Sequence, residues 1–311
     1  IEKLHSSNEA KNNKSNSFRR IVFDEIFANF LTLSKNRKRI KKRKKSKNFK
    51  ELLSKRIIYM LPYKLTEDQK KVLIEINNDL KSDTRMFRII QGDVGSGKTI
   101  VALLTAINVI ESDYQCAMMG PTEILSRQHY LLAKEIFKDS NIKIEYLSGK
   151  TETKKKRIIL KQLKEGKIDL VIGTHALFQK KIEFCNLGYI IIDEQHKFGV
   201  KQRSNLANKG GNNCDVLLMS ATPIPRTMMM SLYGDMDISK ILEKPSNRKP
   251  IITLSKPERK INDLWNYLEQ QLENESQIFW VCPLIKESKI LGFSSAKDKF
   301  NLINKKFPNK V

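Results

Sequence analysis

Eight residues, Gly92-Asp93-Val94-Gly95-Ser96-Gly97-Lys98-Thr99, constrain this chain more than any other stretch. They follow the apolar run Met86–Ile90 and open a helix-like run, Ile100–Ile110, which is the strand-before and helix-after setting of a phosphate-binding loop. Glycines let the backbone fold tightly so that successive N–H groups point at phosphate oxygens, and the helix N-terminus adds about half a positive charge. In this pattern Gly92, Gly95, Ser96 and Gly97 shape the cradle, Lys98 reaches the β- and γ-phosphates, and Thr99 ligates Mg²⁺. Such a match arises by chance in about one chain in a hundred of this length, so a functionless glycine-rich turn is the weaker reading.

The 311 residues suit two domains, or one large and one partial, and 40% hydrophobic residues supply a core. No charged-then-apolar leader opens the chain, and its longest charge-free stretch, Thr99–Ile110, falls short of the roughly 20 residues that span a bilayer. A cytoplasmic protein without a membrane partner is therefore expected. Cys116, Cys185, Cys214 and Cys282 are single and widely spaced, so they read as buried, reduced thiols rather than a zinc site or a disulfide framework. Lysine and arginine number 58 against 34 aspartates and glutamates, a net +24 that favours a polyanionic partner such as nucleic acid. Part of this excess is local, because Lys35–Lys47 holds ten basic residues in thirteen positions and no acid. That run either continues a helix as a cationic arm facing a phosphate backbone or is a solvated, disordered segment; the sequence leaves both open.

In chain order, Glu2–Ser17 is polar and reads as a linker, and the first residue is Ile1 rather than Met, as at a cut end. Phe18–Leu33 places Ile21, Val22, Ile26, Phe27, Phe30, Leu31 and Leu33 in a helical stripe. Thr66 is positioned as an N-cap, with Glu67 and Asp68 in the first turn of a helix reaching about Leu80. Gln69 offers a side-chain amide that matches the N6/N7 edge of adenine. From Met86 onward, apolar runs alternate with amphipathic ones, the pattern of an α/β fold with a parallel sheet covered by helices on both faces. Strands are predicted at Met86–Ile90, Cys116–Gly120, Ile142–Leu147, Asp169–Gly173, Tyr189–Asp193 and Val216–Ser220, and later at Ile251–Leu254 and Ile278–Cys282. Helices are predicted at Lys98–Ile110, Glu123–Lys138, Lys154–Lys164 and Arg226–Tyr233. Ligands of such sheets sit beyond the strand carboxyl ends, where the polar motifs of this sequence fall.

Ile190–Ile192 ends in two adjacent acids. Consecutive strand residues point to opposite sides, so Asp193 and Glu194 divide the work. Asp193 suits the Mg²⁺ partner of a phosphate-loop NTPase, and Glu194 suits the base that polarises the attacking water. His129, on the helix after Pro121, reads as structural, and Met228-Met229-Met230 as gap-filling core. The segment Lys244–Pro250, with two prolines among polar residues, reads as a linker.

Taken in order, the phosphate loop, the Asp193-Glu194-Gln195-His196 box and Ser220-Ala221-Thr222 resemble motifs I, II and III of superfamily 2 helicases. Pro121-Thr122-Glu123-Ile124-Leu125, Gly173-Thr174-His175-Ala176-Leu177, Phe198-Gly199-Val200-Lys201-Gln202-Arg203 and Ser220-Ala221-Thr222-Pro223-Ile224-Pro225-Arg226-Thr227 narrow the resemblance to the RecG family, the ATP-dependent branched-DNA helicases of bacteria. Transcription-repair coupling translocases share the pattern, but Gln195 and the Gln202-Arg203 pair are more similar to RecG. The resemblance runs from about Phe18 to the end. It implies ATP and Mg²⁺ as cofactors, forked or branched DNA as a partner held by backbone contacts, a bacterial cytoplasmic location and a monomer. It assigns Tyr63 and Gln69 to adenine, Lys98, Asp193 and Glu194 to catalysis, and Thr99 and Asp193 to Mg²⁺. Thr122, Thr174 and His175 fall at the DNA backbone, where a hydroxyl bonds phosphate without reading sequence. His196, Ser220 and Thr222 fall where the nucleotide state is coupled to DNA movement.

The organisation so implied is a basic helical connector over 1–50, a RecA-like ATP-binding domain over 51–243, a linker over 244–250 and the start of a second RecA-like domain over 251–311. The family's N-terminal wedge and its later motifs, including an arginine finger, are not found in the sequence, so slow hydrolysis by this stretch alone is expected. A nucleotide-gated DNA-binding module without turnover is the competing reading. Another phosphate-loop ATPase, serving transport or signalling, would leave Thr174-His175 and Ser220-Ala221-Thr222 unexplained.

Overall fold

The computed structural model describes residues 16–40, 43–179, 182–194, 211–222, 236–245, 251–257, 260–282 and 296–308. The chain divides into two compact units, Ile1–Arg248 and Lys249–Val311. In the first, the helices are α1 (Asn16–Ile40), α2 (Leu52–Met60), α3 (Glu67–Lys81), α4 (Lys98–Ile110), α5 (Glu123–Ile136) and α6 (Thr153–Lys164). The strands are β1 (Phe87–Gly92), β2 (Gln115–Met119), β3 (Ile144–Leu147), β4 (Leu170–Gly173), β5 (Leu187–Ile192), β6 (Asp215–Ser220) and β7 (Asp237–Ile241). They form one sheet in the order β3-β4-β2-β5-β6-β1-β7, and every adjacent pair is parallel. Parallel neighbours are joined by crossovers that return the chain to the starting edge, so all the strand carboxyl ends lie on one side.

The apolar runs are continuous rather than alternating because both faces of the central strands are covered. Every residue of β2, β5 and β6 is buried. Side-chain alternation divides these residues between two cores. Ile90, Met118, Ile191 and Leu217 join α3 and α4 on one face, while Ile89, Ala117, Ile190 and Leu218 join Ile159 and Leu163 of α6 on the other. Helix α4 is apolar almost all round and correspondingly buried from Ile100 to Val109. Helix α3 starts with a reciprocal capping box, in which the Thr66 hydroxyl accepts from Gln69 N and the Gln69 side chain accepts from Thr66 N.

The basic run behaves as neither of its sequence readings along its whole length. Helix α1 takes in its start, and residues 43–50 have no helical structure, with Arg43 bridged to Thr84, so the predicted connector is not helical throughout. Lys44 and Lys47 are buried, and both ammonium groups lie on one carboxylate oxygen of Asp215, at 2.7 and 2.5 Å. The other Asp215 oxygen accepts from Met86 N at 2.6 Å, Lys44 also donates to the Asp79 and Leu80 carbonyls at 3.0 Å, and Lys47 donates to the Asn213 carbonyl at 2.9 Å. Burial pulls the Lys44 ammonium below its usual pKa, against the opposing attraction of Asp215. Charge counting cannot distinguish lysines that find a buried acid 171 and 168 residues away from lysines that face solvent.

Three other expectations are corrected. Strand β7 was not anticipated, since its five residues include Asp237 and Lys240 and it lies at a sheet edge. Ile251–Leu254 and Ile278–Cys282 form no strand: they have the right propensity but join no ladder among the described residues, and Ile252, Phe279 and Val281 are exposed. Cys185 is exposed and Cys282 half-buried, whereas Cys116 and Cys214 are buried as expected. The predicted helix Arg226–Tyr233 and the triplet Met228-Met229-Met230 lie outside the described residues. The second unit contains α7 (Ile261–Glu273) and α8 (Ala296–Lys306), with Trp265 buried between Trp280 and Phe307 at ring-centre distances of 5.2 and 6.2 Å. No helix among the described residues is long and apolar enough to cross a membrane.

Asp215→Ala would leave two buried ammonium groups without their carboxylate. It is expected to cost on the order of 3–5 kcal/mol, read as a lowered urea midpoint; an unchanged midpoint would mean that the lysines swing out to water at no cost.

Candidate active site

The phosphate loop leaves the end of β1 and enters α4 at Gly97, with Gly95 and Gly97 in the left-handed region at φ +78° and +85°. A side chain at Gly97 would put its Cβ 2.2 Å from Gln69 Nε2, so the glycine is needed for space as well as conformation. Gln69 is buried against the loop. Its Nε2 donates to the Ser96 carbonyl at 2.7 Å and its Oε1 accepts from Thr66 N at 2.9 Å. The amide thus acts as a strut between the α3 cap and the loop, leaving one hydrogen and one lone pair for any adenine edge. Tyr63, three residues before the cap, is exposed.

Lys98 folds back into the loop and donates to the carbonyls of Gly92 at 2.6 Å and Asp93 at 2.9 Å. Burial pulls its ammonium below the usual pKa, while the negative charges of Asp193, Glu194 and Asp93 pull it upward. The two acids at the end of β5 are therefore brought into electrostatic reach of the loop lysine. Thr99 stands in the first turn of α4. The Ser96 hydroxyl is buried without a hydrogen-bond partner, as expected of a loop shaped around a polar ligand.

Asp193 is held at both oxygens. One accepts from Glu194 N at 2.9 Å and the other lies 2.8 Å from His129 Nε2. Glu194 has φ +48°, a left-handed conformation uncommon for a residue other than glycine and a form of stored strain that clusters at functional sites. Among the described residues no group of three or more His, Cys, Asp or Glu side chains could hold a metal by itself. A hydroxyl and a single carboxylate instead match how Mg²⁺ is held when substrate phosphates complete its shell.

Ser220, at the end of β6, is fully buried; its hydroxyl lies 3.1 Å from the Thr222 hydroxyl and 3.2 Å from the Thr222 carbonyl. Its register partner is Gln91, next to the phosphate loop. Thr122 caps α5, its hydroxyl accepting from Leu125 N at 3.2 Å on an exposed surface. Thr174 is unlike it: only 2% exposed, with a buried hydroxyl lacking a partner, while the next residue, His175, is exposed. The structure therefore separates the hydroxyls of Thr122 and Thr174, one at the surface and one inside. His196 lies outside the described residues.

Three residues near the site were not anticipated. His129 contacts Asp193, a placement legible only in the buried stripe Ser126, His129 and Ala133 of α5. Asp68 accepts from Leu242 N at 2.8 Å and Glu243 N at 3.0 Å, bonds that hold its carboxyl below the usual range. Lys244 reaches Asp93 of the phosphate loop at 3.0 Å. The chain after β7 thus returns to the site, which no local pattern signals.

A parallel sheet that gathers a phosphate loop, an Asp-Glu strand end and a Ser-x-Thr strand end on one edge defines a RecA-like helicase domain. The profile of the DEAD/DEAH box helicase family matches residues 66–231, and the chain belongs to that family. It is 44% identical over its full length to the ATP-dependent DNA helicase RecG of Aquifex aeolicus, covering 40% of that protein. To the RecG of Thermotoga maritima it is 44% identical over 93% of its length, covering 37% of the relative. A solved structure of RecG bound to a three-way DNA junction superposes with a TM-score of 0.78 at 38% identity, over 92% of this chain and 38% of the other. The chain thus spans about two fifths of the length of these curated relatives.

Gly97→Ala is expected to cost about 1–3 kcal/mol and to speed amide exchange at Gln69 and across the phosphate loop. Gly149→Ala, with nothing within 4 Å of the added methyl, is the neutral control. Equal exchange in the two variants would contradict the strut.

Proposed function

We propose that this chain is the ATP-binding part of an ATP-dependent DNA helicase or translocase that remodels branched DNA, such as replication forks and recombination intermediates, in repair and recombination. The observation that supports the reading is the placement of the phosphate loop after β1 and of Asp193 and Glu194 after β5 at the carboxyl ends of one parallel sheet. The RecG relatives supply the DNA substrate class.

In this reading Lys98 exchanges its two loop carbonyls for β- and γ-phosphate oxygens, and the backbone N–H groups of the loop cradle the phosphates. Thr99 and Asp193 would hold Mg²⁺, which when bound neutralises charge on the phosphate oxygens. Glu194 orients a water and accepts its proton as the water oxygen bonds to the γ-phosphorus and the bond to the β-phosphate oxygen breaks, releasing ADP and phosphate. Tyr63 and the remaining valences of Gln69 face the adenine. Thr122, Thr174 and His175 belong to the segments that follow the DNA backbone, the exposed Thr122 and His175 being the direct contacts. Ser220, Thr222 and His196 connect the nucleotide to that surface.

The proposed organisation is a connector over 1–50, the ATP-binding domain over 51–243, a linker over 244–250 and part of a second RecA-like domain from 251, acting as a monomer. The 311 residues include no residue that we assign as an arginine finger, which is worth about 10³–10⁵ in rate, so they bind ATP and DNA but turn over slowly. A binding module that never turns over is distinguished from this by phosphate release.

Lys98→Ala is expected to abolish nucleotide binding in equilibrium titration, whereas Glu194→Gln retains binding and stops phosphate release. Wild-type affinity in Lys98→Ala would overturn the loop assignment, and fast DNA-stimulated turnover by the 311-residue chain would overturn the slow-turnover reading.

A further inference from the structure

A buried carboxylate that is to serve a cation must present a fixed oxygen, and Asp193 is fixed by two donors of different origin. The Glu194 N–H holds one oxygen locally, and His129, arriving 64 residues away on α5, holds the other. A carboxylate only accepts, so Nε2 of His129 carries the proton and donates it. Each oxygen then keeps a lone-pair direction for a further partner. The backbone leaves little slack, because Asp193 N is bonded to the Met119 carbonyl at 2.9 Å and Asp193 and His129 are each only 8% exposed.

We infer that His129 is a positioning residue for the cation-holding carboxylate: it fixes the rotation of Asp193 and presents one of its oxygens to a Mg²⁺-bound nucleotide. The inference rests on the reading of Asp193 as a cation ligand and adds a residue to it. His129 need not touch substrate or metal to do this. Outer-shell donors of this kind set ligand orientation, and their loss costs about 10–100-fold in metal affinity. A side chain that merely filled space in α5 would affect nucleotide binding equally with and without the cation. A carboxylate holder would affect only the gain that the cation brings.

That difference is the measurement. A fluorescent, non-hydrolysable ATP analogue is titrated into the 311-residue chain in Mg²⁺ and again in EDTA, and the ratio of the two dissociation constants is compared across variants. His129→Leu keeps the buried volume and removes the donor. It is expected to lower the Mg²⁺-dependent ratio by about tenfold or more while leaving the EDTA value within about twofold of wild type. His129→Gln, which returns an N–H donor at similar reach, is expected to recover most of the ratio. A wild-type ratio in His129→Leu, with an unchanged thermal unfolding curve, would overturn the inference, as would a Gln variant no better than Leu. Asp193→Ala separates the two levels. If it too keeps the wild-type ratio, the cation-site reading itself falls; if it alone loses the ratio, the cation site stands and only the role of His129 is refuted.

Discussion

The all-parallel ladder is the constraint on which the site depends. Because adjacent strands run the same way, Gly92, Met119, Gly173, Ile192 and Ser220 all end on one edge. The residues after them are brought together by topology, before any side chain makes a contact. The price of that arrangement is a sheet buried on both faces. It is met by β2, β5 and β6, which contain no exposed position, and by α4, whose apolar surface leaves it no solvent face. Reactive groups so placed sit on rigid strand ends, while the connecting loops supply the ligand-facing backbone.

The parts of this design legible in the sequence are those whose cause is local. The phosphate loop needs glycines at fixed spacing, Thr66 caps its own helix, and the apolar runs report burial directly, so the sequence predicts α4 with its observed bounds and strands β1 to β6 nearly so. What was not legible has partners far away. Lys44 and Lys47 are two among ten basic neighbours until Asp215 is folded beneath them. Asp68 is a first-turn acid until the chain after β7 donates two N–H groups to it. Ile251–Leu254 shows the reverse error, since β-branched residues predict a strand that requires a neighbouring ladder. Gln69 lies between these cases: its place in the capping box is written in the sequence, and its bond to Ser96 is not.

The surroundings of the loop form a closed set of mutual restraints. Gln69 presses on Ser96, Lys98 takes up the loop's own carbonyls, and Lys244 lies on Asp93. The loop is thus held by a helix cap on one side and by the chain after β7 on the other. Glu194, strained at positive φ beside a carboxylate already fixed at both oxygens, is the point at which the acidic strand end departs from ordinary strand geometry.

Strand β6 joins two features that have so far been separate. At its start Asp215 grips Lys44 and Lys47, and at its end Ser220 meets Thr222 beside the phosphate-loop strand. Five residue steps separate them, about 16 Å of fully hydrogen-bonded backbone at 3.3 Å per residue. A strand in the middle of a sheet is hydrogen-bonded on both sides and so is stiff along its length. The buried ion cluster therefore pins Lys44 and Lys47 to the same strand whose other end lies beside the phosphate-loop strand, so the two ends share one stiff backbone.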